Sequence, residues 1–200
     1  AMGTGAKLHL QDHGAFLGNP LFPTISTRRR LQYLLGRWLV RRAARVRTVS
    51  ERGRRGLIAA GVPADRVDLV PIPADAASFA SLASERRYDD SGSALLYVGR
   101  LEREKGVDVL IRSLQPGWDL TVVGSGSLEA ELRELASSLR VRVTFVGFQR
   151  DVRPYLAAAG IAVVPSLSEG WGLAAIEAAA SGLPVVMTDT GCAGELLVDG

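Results

Sequence analysis

The stretch Ala94-Leu-Leu-Tyr-Val98-Gly-Arg-Leu-Glu-Arg-Glu-Lys105-Gly106, followed by the apolar-periodic run Val107–Leu114, decides the fold. Five apolar residues rich in strand formers end at a glycine, and eight loop residues lead into a helical pattern. This strand–loop–helix unit repeats to the end of the chain. Strands are expected over Ala94–Val98, Leu120–Val123, Val141–Val146, Ile161–Pro165 and Pro184–Thr188. Helices are expected over Val107–Leu114, Leu128–Ser138, Val152–Ala159 and Leu173–Ser181. Strict alternation of this kind predicts an α/β fold with a parallel, doubly wound sheet. Such sheets bind ligands on loops outside the carboxyl ends of their strands. Arg100 and Lys105 both fall on one of those loops. A forked guanidinium and a point-charge ammonium together suit a diphosphate. Lys105 is one of only two lysines among 24 basic residues, so it is not background composition. The bland alternative is a loop whose cations pair with Glu102 and Glu104.

A second stretch, Glu169-Gly-Trp-Gly-Leu-Ala-Ala-Ile-Glu177, places two carboxylates eight positions apart across a glycine-rich turn that enters a helix. Glu177 has Leu173 and Ser181 as its i±4 neighbours, so no cation lies within helical reach. A carboxylate buried there needs donors from outside the helix, and sugar or ribose hydroxyls qualify. The backbone N–H groups of Gly170, Trp171, Gly172 and Leu173 stand at the positive end of the helix dipole, suited to a phosphate or sugar oxygen. Glu177 lies roughly 6 Å below Leu173 along the axis, about the separation between a diphosphate and its ribose. An ordinary helix with one solvated Glu is the competing reading.

The loop G-R-L-x-x-x-K-G, then S-x-E-G-x-G-L-x-x-x-E-A-x-x-x-G-x-P-V-V over Ser166–Val186, resembles the retaining glycosyltransferases of family 4. That resemblance covers nearly the whole chain. It implies the GT-B architecture of two Rossmann-like domains, and a sugar transferred from a nucleoside diphosphate sugar to a glycan or lipid-linked acceptor. It further implies that Arg100 and Lys105 hold the donor diphosphate, that Glu177 binds the ribose, and that Glu169 touches the transferred sugar. The backbone of Gly170, Trp171, Gly172 and Leu173 would bind sugar and phosphate, and Val146-Gly147-Phe148 would lie beside the base. His13, in Asp12-His13-Gly14, matches a histidine that faces the donor sugar; a plain loop histidine is the alternative. The resemblance implies no bound metal and no cofactor beyond the donor substrate. Two histidines and one cysteine offer no metal-ligand cluster in any case.

The same resemblance divides the chain. Residues 1–73 are expected to be the last part of an N-terminal, acceptor-side domain. Residues 74–93, polar and loop-like, are expected to be a hinge. Residues 94–200 would be a donor-binding domain that stops short of its closing helices. The chain then reads as a fragment, and a non-catalytic nucleotide-sugar binding module is the alternative to an enzyme. Within residues 1–73, strands are expected over Lys7–Gln11, Arg45–Val49 and Val67–Val70, with helices over Arg28–Ala44 and Arg52–Ala60.

Composition is that of a globular chain, 47% hydrophobic and 22% charged. The single Cys192 rules out an internal disulfide and suits a reducing cytoplasm. Charge is uneven: residues 1–70 carry 13 basic and 4 acidic side chains, residues 71–200 carry 11 and 17. Thr24 to Arg47 holds eight arginines and no acid. The stripe Leu31, Leu34, Leu35, Trp38, Leu39 predicts a helix packed by its leucines with a solvated arginine face. Peripheral contact with an anionic membrane is the other reading. No motif supports nucleic-acid binding. The pair Gly124-Ser-Gly126 lacks the third glycine of a dinucleotide fingerprint, Glu129 standing in its place, and reads as a tight turn.

Overall fold

A computed structural model describes residues 7–14, 27–85 and 93–198. The chain divides into two compact units, Ala1–Ile72 with Ser168–Trp171, and Pro73–Leu167 with Gly172–Gly200.

In the first unit β1 (His9–Asp12), α1 (Thr27–Arg42), β2 (Arg45–Thr48), α2 (Glu51–Ala59), a 3-10 turn (Ala64–Arg66) and β3 (Val67–Leu69) follow one another. The strands form a parallel sheet in the order β1-β2-β3, with Leu10, Val46 and Val67 in register. Val46 and Val67 pack with Val40 and Ala43 at the end of α1, and with Leu57 and Ala60 of α2, into one core. The Ser50 hydroxyl caps α2 by accepting from the Gly53 N–H at 3.1 Å, which satisfies one orphan donor of its first turn. Gly61, at φ +95, ends that helix. The packing of α1 differs from expectation. Its buried side is Tyr33 and Val40, whereas Leu31, Leu34, Leu35 and Trp38 are exposed. The leucines outnumber the residues on the packed side, so the wider apolar stripe misleads as to which face meets the sheet.

The second unit holds α3 (Ala76–Glu85), β4 (Ala94–Val98), a 3-10 turn (Arg103–Lys105), α4 (Val107–Ser113), β5 (Asp119–Val123), α5 (Glu129–Leu139), β6 (Arg142–Gly147), α6 (Arg153–Ala158), β7 (Ile161–Val164), α7 (Leu173–Ala180) and β8 (Val185–Met187). All five strands are parallel, in the order β6-β5-β4-β7-β8. One face is covered by α4 and α5, through Leu110, Ile111, Leu132 and Ala136. The other is covered by α3, α6 and α7, through Phe79, Leu82, Leu156 and Ala178. The expected loop at 74–93 is thus corrected: residues 76–85 are helical. Phe79 and Leu82, one turn apart, give that helix its packed side, and the small Ala and Ser residues around them disguise the periodicity.

Chain order and space order diverge at β4. From β4 the chain steps outward to β5 and β6, then returns to lay β7 on the opposite flank of β4. The loops leaving β4 and β7 therefore part in opposite directions above a topological switch point, where open α/β sheets form their ligand crevice.

Candidate functional site

The loop after β4 is held by its own sequence. The Tyr97 hydroxyl, on a fully buried ring, donates to the Arg100 carbonyl at 2.7 Å. A side chain at Gly99 would crowd that hydroxyl. The Leu101 N–H donates to the Ser125 carbonyl, and the Leu128 N–H to the Leu101 carbonyl, both at 3.0 Å. Gly126 permits this closeness, because a Cβ there would run into the Leu101 backbone. The Gly124–Gly126 turn is thus a backbone-packing device, in line with its reading as a tight turn. Glu102 accepts from the Ser127 N–H at 3.0 Å and the Ser127 hydroxyl at 2.7 Å. Those two bonds hold its carboxyl below the ordinary range, with the nearby Arg100 charge a smaller cause.

Arg100 projects outward, 68% exposed, and its guanidinium pairs with Glu104 at 3.1 Å. Of the two acids weighed as partners for the loop cations, Glu104 is joined to Arg100, and Glu102 is bound to Ser127. Lys105 ends the 3-10 turn, half-buried. Gly106 follows at φ +63, and a Cβ there would meet the Pro165 carbonyl. The Leu167 N–H donates to the Glu104 carbonyl at 2.8 Å. The cationic loop is in this way stitched to the connection that leaves β7.

That connection enters α7 through Gly172, at φ +90, and no side chain caps the helix. The buried side of α7 is Ala175, Ile176 and Ala178. Glu177 sits half-buried between them, and burial raises its carboxyl pKa. No hydrogen bond or ion pair reaches it among the described residues. The sheet's edge strand β6 ends at Gly147, at φ +79, whose carbonyl accepts from the Gly124 N–H at 2.8 Å. Phe148 beyond it is 70% exposed. Arg100, Lys105, Val146, Gly147, Phe148, Gly172, Leu173 and Glu177 therefore all belong to the second unit, on the loop after β4, at the end of β6 and just beyond it, and at the entry to α7 and within it. From β6 to β7 is three strand spacings, about 14 Å.

In the first unit, His13 follows β1, exposed, with Nε2 2.9 Å from the Gln11 carboxamide oxygen. The Gly14 N–H donates to Asp12 Oδ1 at 3.2 Å, a local turn that fixes the strand end. Glu169, Gly170 and Trp171 group with this unit. A Cβ on Gly170 would collide with the His13 carbonyl, so close approach requires glycine there. Trp171 is 8% exposed, and its indole N–H has no hydrogen-bond partner among the described residues. Among the described residues, no three His, Cys, Asp or Glu side chains gather as a metal site. Sequence reasoning missed three supports of the cationic loop: Tyr97, Glu102 and Ser127. Gly126 beside Ser127 was the available signal, since a glycine after a strand marks close backbone approach.

Residues 92–200 match the family described as glycosyl transferases group 1, and residues 2–73 match the glycosyl transferase 4-like domain. Glycogen synthase of Mycobacterium tuberculosis is 42% identical over 125 residues, 58% of this chain and 30% of that protein. D-inositol 3-phosphate glycosyltransferase of Nocardia farcinica is 35% identical over 178 residues, 78% of this chain and 39% of that protein. Among solved structures, sucrose-phosphate synthase of Thermosynechococcus elongatus superposes with a TM-score of 0.73 at 29% identity, covering 92% of this chain and 50% of that one. HepE of Anabaena, in complex with UDP-glucose, gives 0.75 at 22% identity, covering 96% and 56%. The second of these is a likeness of fold. The chain spans about a third of the length of these two curated relatives. With one half matched to the group 1 family and a parallel GT-B-type sheet beneath its motifs, the chain belongs to the glycosyl transferases group 1 family.

Proposed function

We propose that this chain binds a nucleoside diphosphate sugar and, in its whole protein, transfers the sugar to a glycan or lipid-linked acceptor with retention of configuration. The observation that carries the reading is Glu177: a half-buried carboxylate without a partner among the described residues, one turn below the uncapped start of α7, in the same unit as Arg100 and Lys105. An acceptor-only group in that setting is completed by hydroxyl donors. An uncapped helix start, with two cationic side chains in the same unit, favours an anion. A nucleoside diphosphate supplies both, with ribose on Glu177 and phosphates on Arg100, Lys105 and the N–H groups of Gly172 and Leu173. Phe148 and the backbone of Val146 and Gly147 take the base. Glu169, the Gly170 and Trp171 backbone, and His13 are assigned to the transferred sugar.

In this mechanism the bond from the anomeric carbon to the diphosphate oxygen breaks while the acceptor oxygen bonds to the same face of the sugar. The acceptor proton passes to the departing phosphate oxygen. Arg100, Lys105 and the α7 dipole stabilise the charge that grows on the leaving group, and no metal or further cofactor takes part. UDP-glucose is bound by HepE of Anabaena, so uridine diphosphate is the first donor moiety to try. Isothermal titration with uridine diphosphate and with UDP-glucose, alongside a donor-hydrolysis assay, tests the proposal. Binding with hydrolysis or transfer supports it, binding without turnover favours a non-catalytic module, and no binding of any nucleoside diphosphate refutes the site.

A further inference from the structure

The turn from β5 into α5 lies along the loop after β4. The Gly99 N–H donates to the Val123 carbonyl, the Leu101 N–H to the Ser125 carbonyl, and the Leu128 N–H back to the Leu101 carbonyl, each at 3.0 Å. A Cβ on Gly124 would strike the Gly99 carbonyl. These ties run from main chain to main chain and fix the two neighbours of Arg100. Ser127 adds a tie to a side chain. It gives the Glu102 carboxylate two donors, its N–H at 3.0 Å and its hydroxyl at 2.7 Å. Glu102 stands between the two cations of the loop. Arg100 is two residues before it. After it comes the 3-10 turn that ends at Lys105, whose N–H donates to the Glu102 carbonyl at 2.9 Å. A carboxylate gripped at two points thus fixes the residue from which both cationic side chains take their direction. The Arg100 side chain needs such support, because its pairing with Glu104 is exposed and imposes little order.

We propose that Ser127 and Glu102 are a positioning pair, which through Arg100 and Lys105 sets the cations to the spacing of a diphosphate and so favours a nucleoside diphosphate over the monophosphate and the bare nucleoside. The assignment rests on the donor site proposed above. Neither residue touches the donor in this arrangement; both act through the cations. The competing role is structural. No side chain caps α5 from within, so Glu102 would then serve only that helix, as a carboxylate near its positive end. Its loss would loosen the helix whatever the ligand.

A double-mutant cycle separates the two roles. Uridine diphosphate, uridine monophosphate and uridine are titrated calorimetrically into the unaltered chain, Ser127→Ala, Ser127→Thr, Arg100→Ala and the combination of Ser127→Ala with Arg100→Ala. Ser127→Ala keeps the N–H and loses the hydroxyl. It should weaken the diphosphate about fivefold, the loss of one hydrogen bond, weaken the monophosphate less, and leave uridine within about twofold. Ser127→Thr returns the hydroxyl and should recover most of the affinity. In the Arg100→Ala background the same Ser127→Ala change should alter diphosphate binding by about twofold or less, because a group that it positions is gone. Amide hydrogen exchange over residues 100–106, measured without ligand, reads the clip apart from binding. It should quicken in Ser127→Ala and return to the parent rate in Ser127→Thr. Equal losses for uridine and the diphosphate, or the same loss with and without Arg100, assign the pair to α5 and overturn the proposal. So does a Ser127→Ala chain with the parent's exchange, or a Ser127→Thr chain as weak as Ser127→Ala. An unaltered chain that binds no uridine diphosphate refutes the donor site and this assignment together. Normal binding that Ser127→Ala leaves unchanged refutes this assignment alone.

Discussion

Replacing Glu177 by alanine should stabilise the chain and weaken its hold on a nucleoside diphosphate, two effects of opposite sign from one atom group. Burial raises the carboxyl pKa above its ordinary value, so the ionised form is the unfavourable one in the folded state. The sign follows by linkage. Below the ordinary glutamate value of about 4.3 the group is protonated folded and unfolded, and it contributes no penalty. The penalty sets in as pH rises above that ordinary value and levels off once pH exceeds the raised folded value. Glu177 is only half-buried, so water screens the charge. A cost of about 0.5 kcal/mol is appropriate, well short of the several assigned to a fully buried ion. Alanine adds a few tenths through helix propensity. Together these give about 1 kcal/mol, or about 2–4 °C in melting temperature at pH 7. Glu177→Gln removes the charge without the propensity gain and should give about half the rise. Its advantage should fade toward pH 4. On the binding side, losing charge-assisted bonds worth about 1.5–3 kcal/mol should weaken uridine diphosphate roughly tenfold to a hundredfold. Scanning calorimetry from pH 4 to 8 and isothermal titration read the two effects. A Glu177→Ala chain that melts lower at pH 7 would show that Glu177 supports the fold, and undiminished binding would remove it from the ribose site.

Arg100→Ala or Lys105→Ala should each weaken the diphosphate by roughly tenfold to a hundredfold while leaving the bare nucleoside nearly unchanged, as titration of the two ligands will read; equal losses would make these residues structural. Glu102→Ala should free Ser127 and loosen the loop, lowering diphosphate affinity severalfold, and a variant that binds like the parent would separate the clip from the site. Gly126→Ala, which drives a methyl into the Leu101 backbone, should cost at least about 1 kcal/mol of stability. A melting temperature equal to the parent's would count against that close packing.

Much of the fold was legible because each strand and helix of the second unit satisfies its period within a few residues of sequence. Ala94–Val98 is apolar throughout since β4 is central and covered on both faces. The helix α7 starts where Gly172 permits a positive φ. The misreadings share a cause. In α3 the packed side is two residues among Ala and Ser. In α1 the packed side is Tyr33 and Val40 among a larger number of leucines. Periodicity shows that an apolar face exists, but not whether anything covers it, since burial is decided by distant segments.

The candidate site divides along the same line. Residues whose chemistry is unusual where they stand could be picked out directly: a lysine in a chain with only two, and a carboxylate with no cation at helical spacing. What could not be read is how the loop after β4 balances its own charges. Glu102 and Glu104 are two positions apart on one loop and look interchangeable in sequence. In the structure Glu102 turns to Ser127, 25 positions away, while Glu104 pairs with Arg100. The distinction has a chemical consequence. An exposed pair such as Arg100–Glu104 is worth about 0–1 kcal/mol, less than a charge-assisted bond to a phosphate, so the diphosphate proposed above would take Arg100 from Glu104 at little cost. Glu102 is instead committed to two bonds that fix the loop carrying Arg100. One acid keeps the loop in shape and the other occupies its guanidinium, and only the long-range fold assigns which does which.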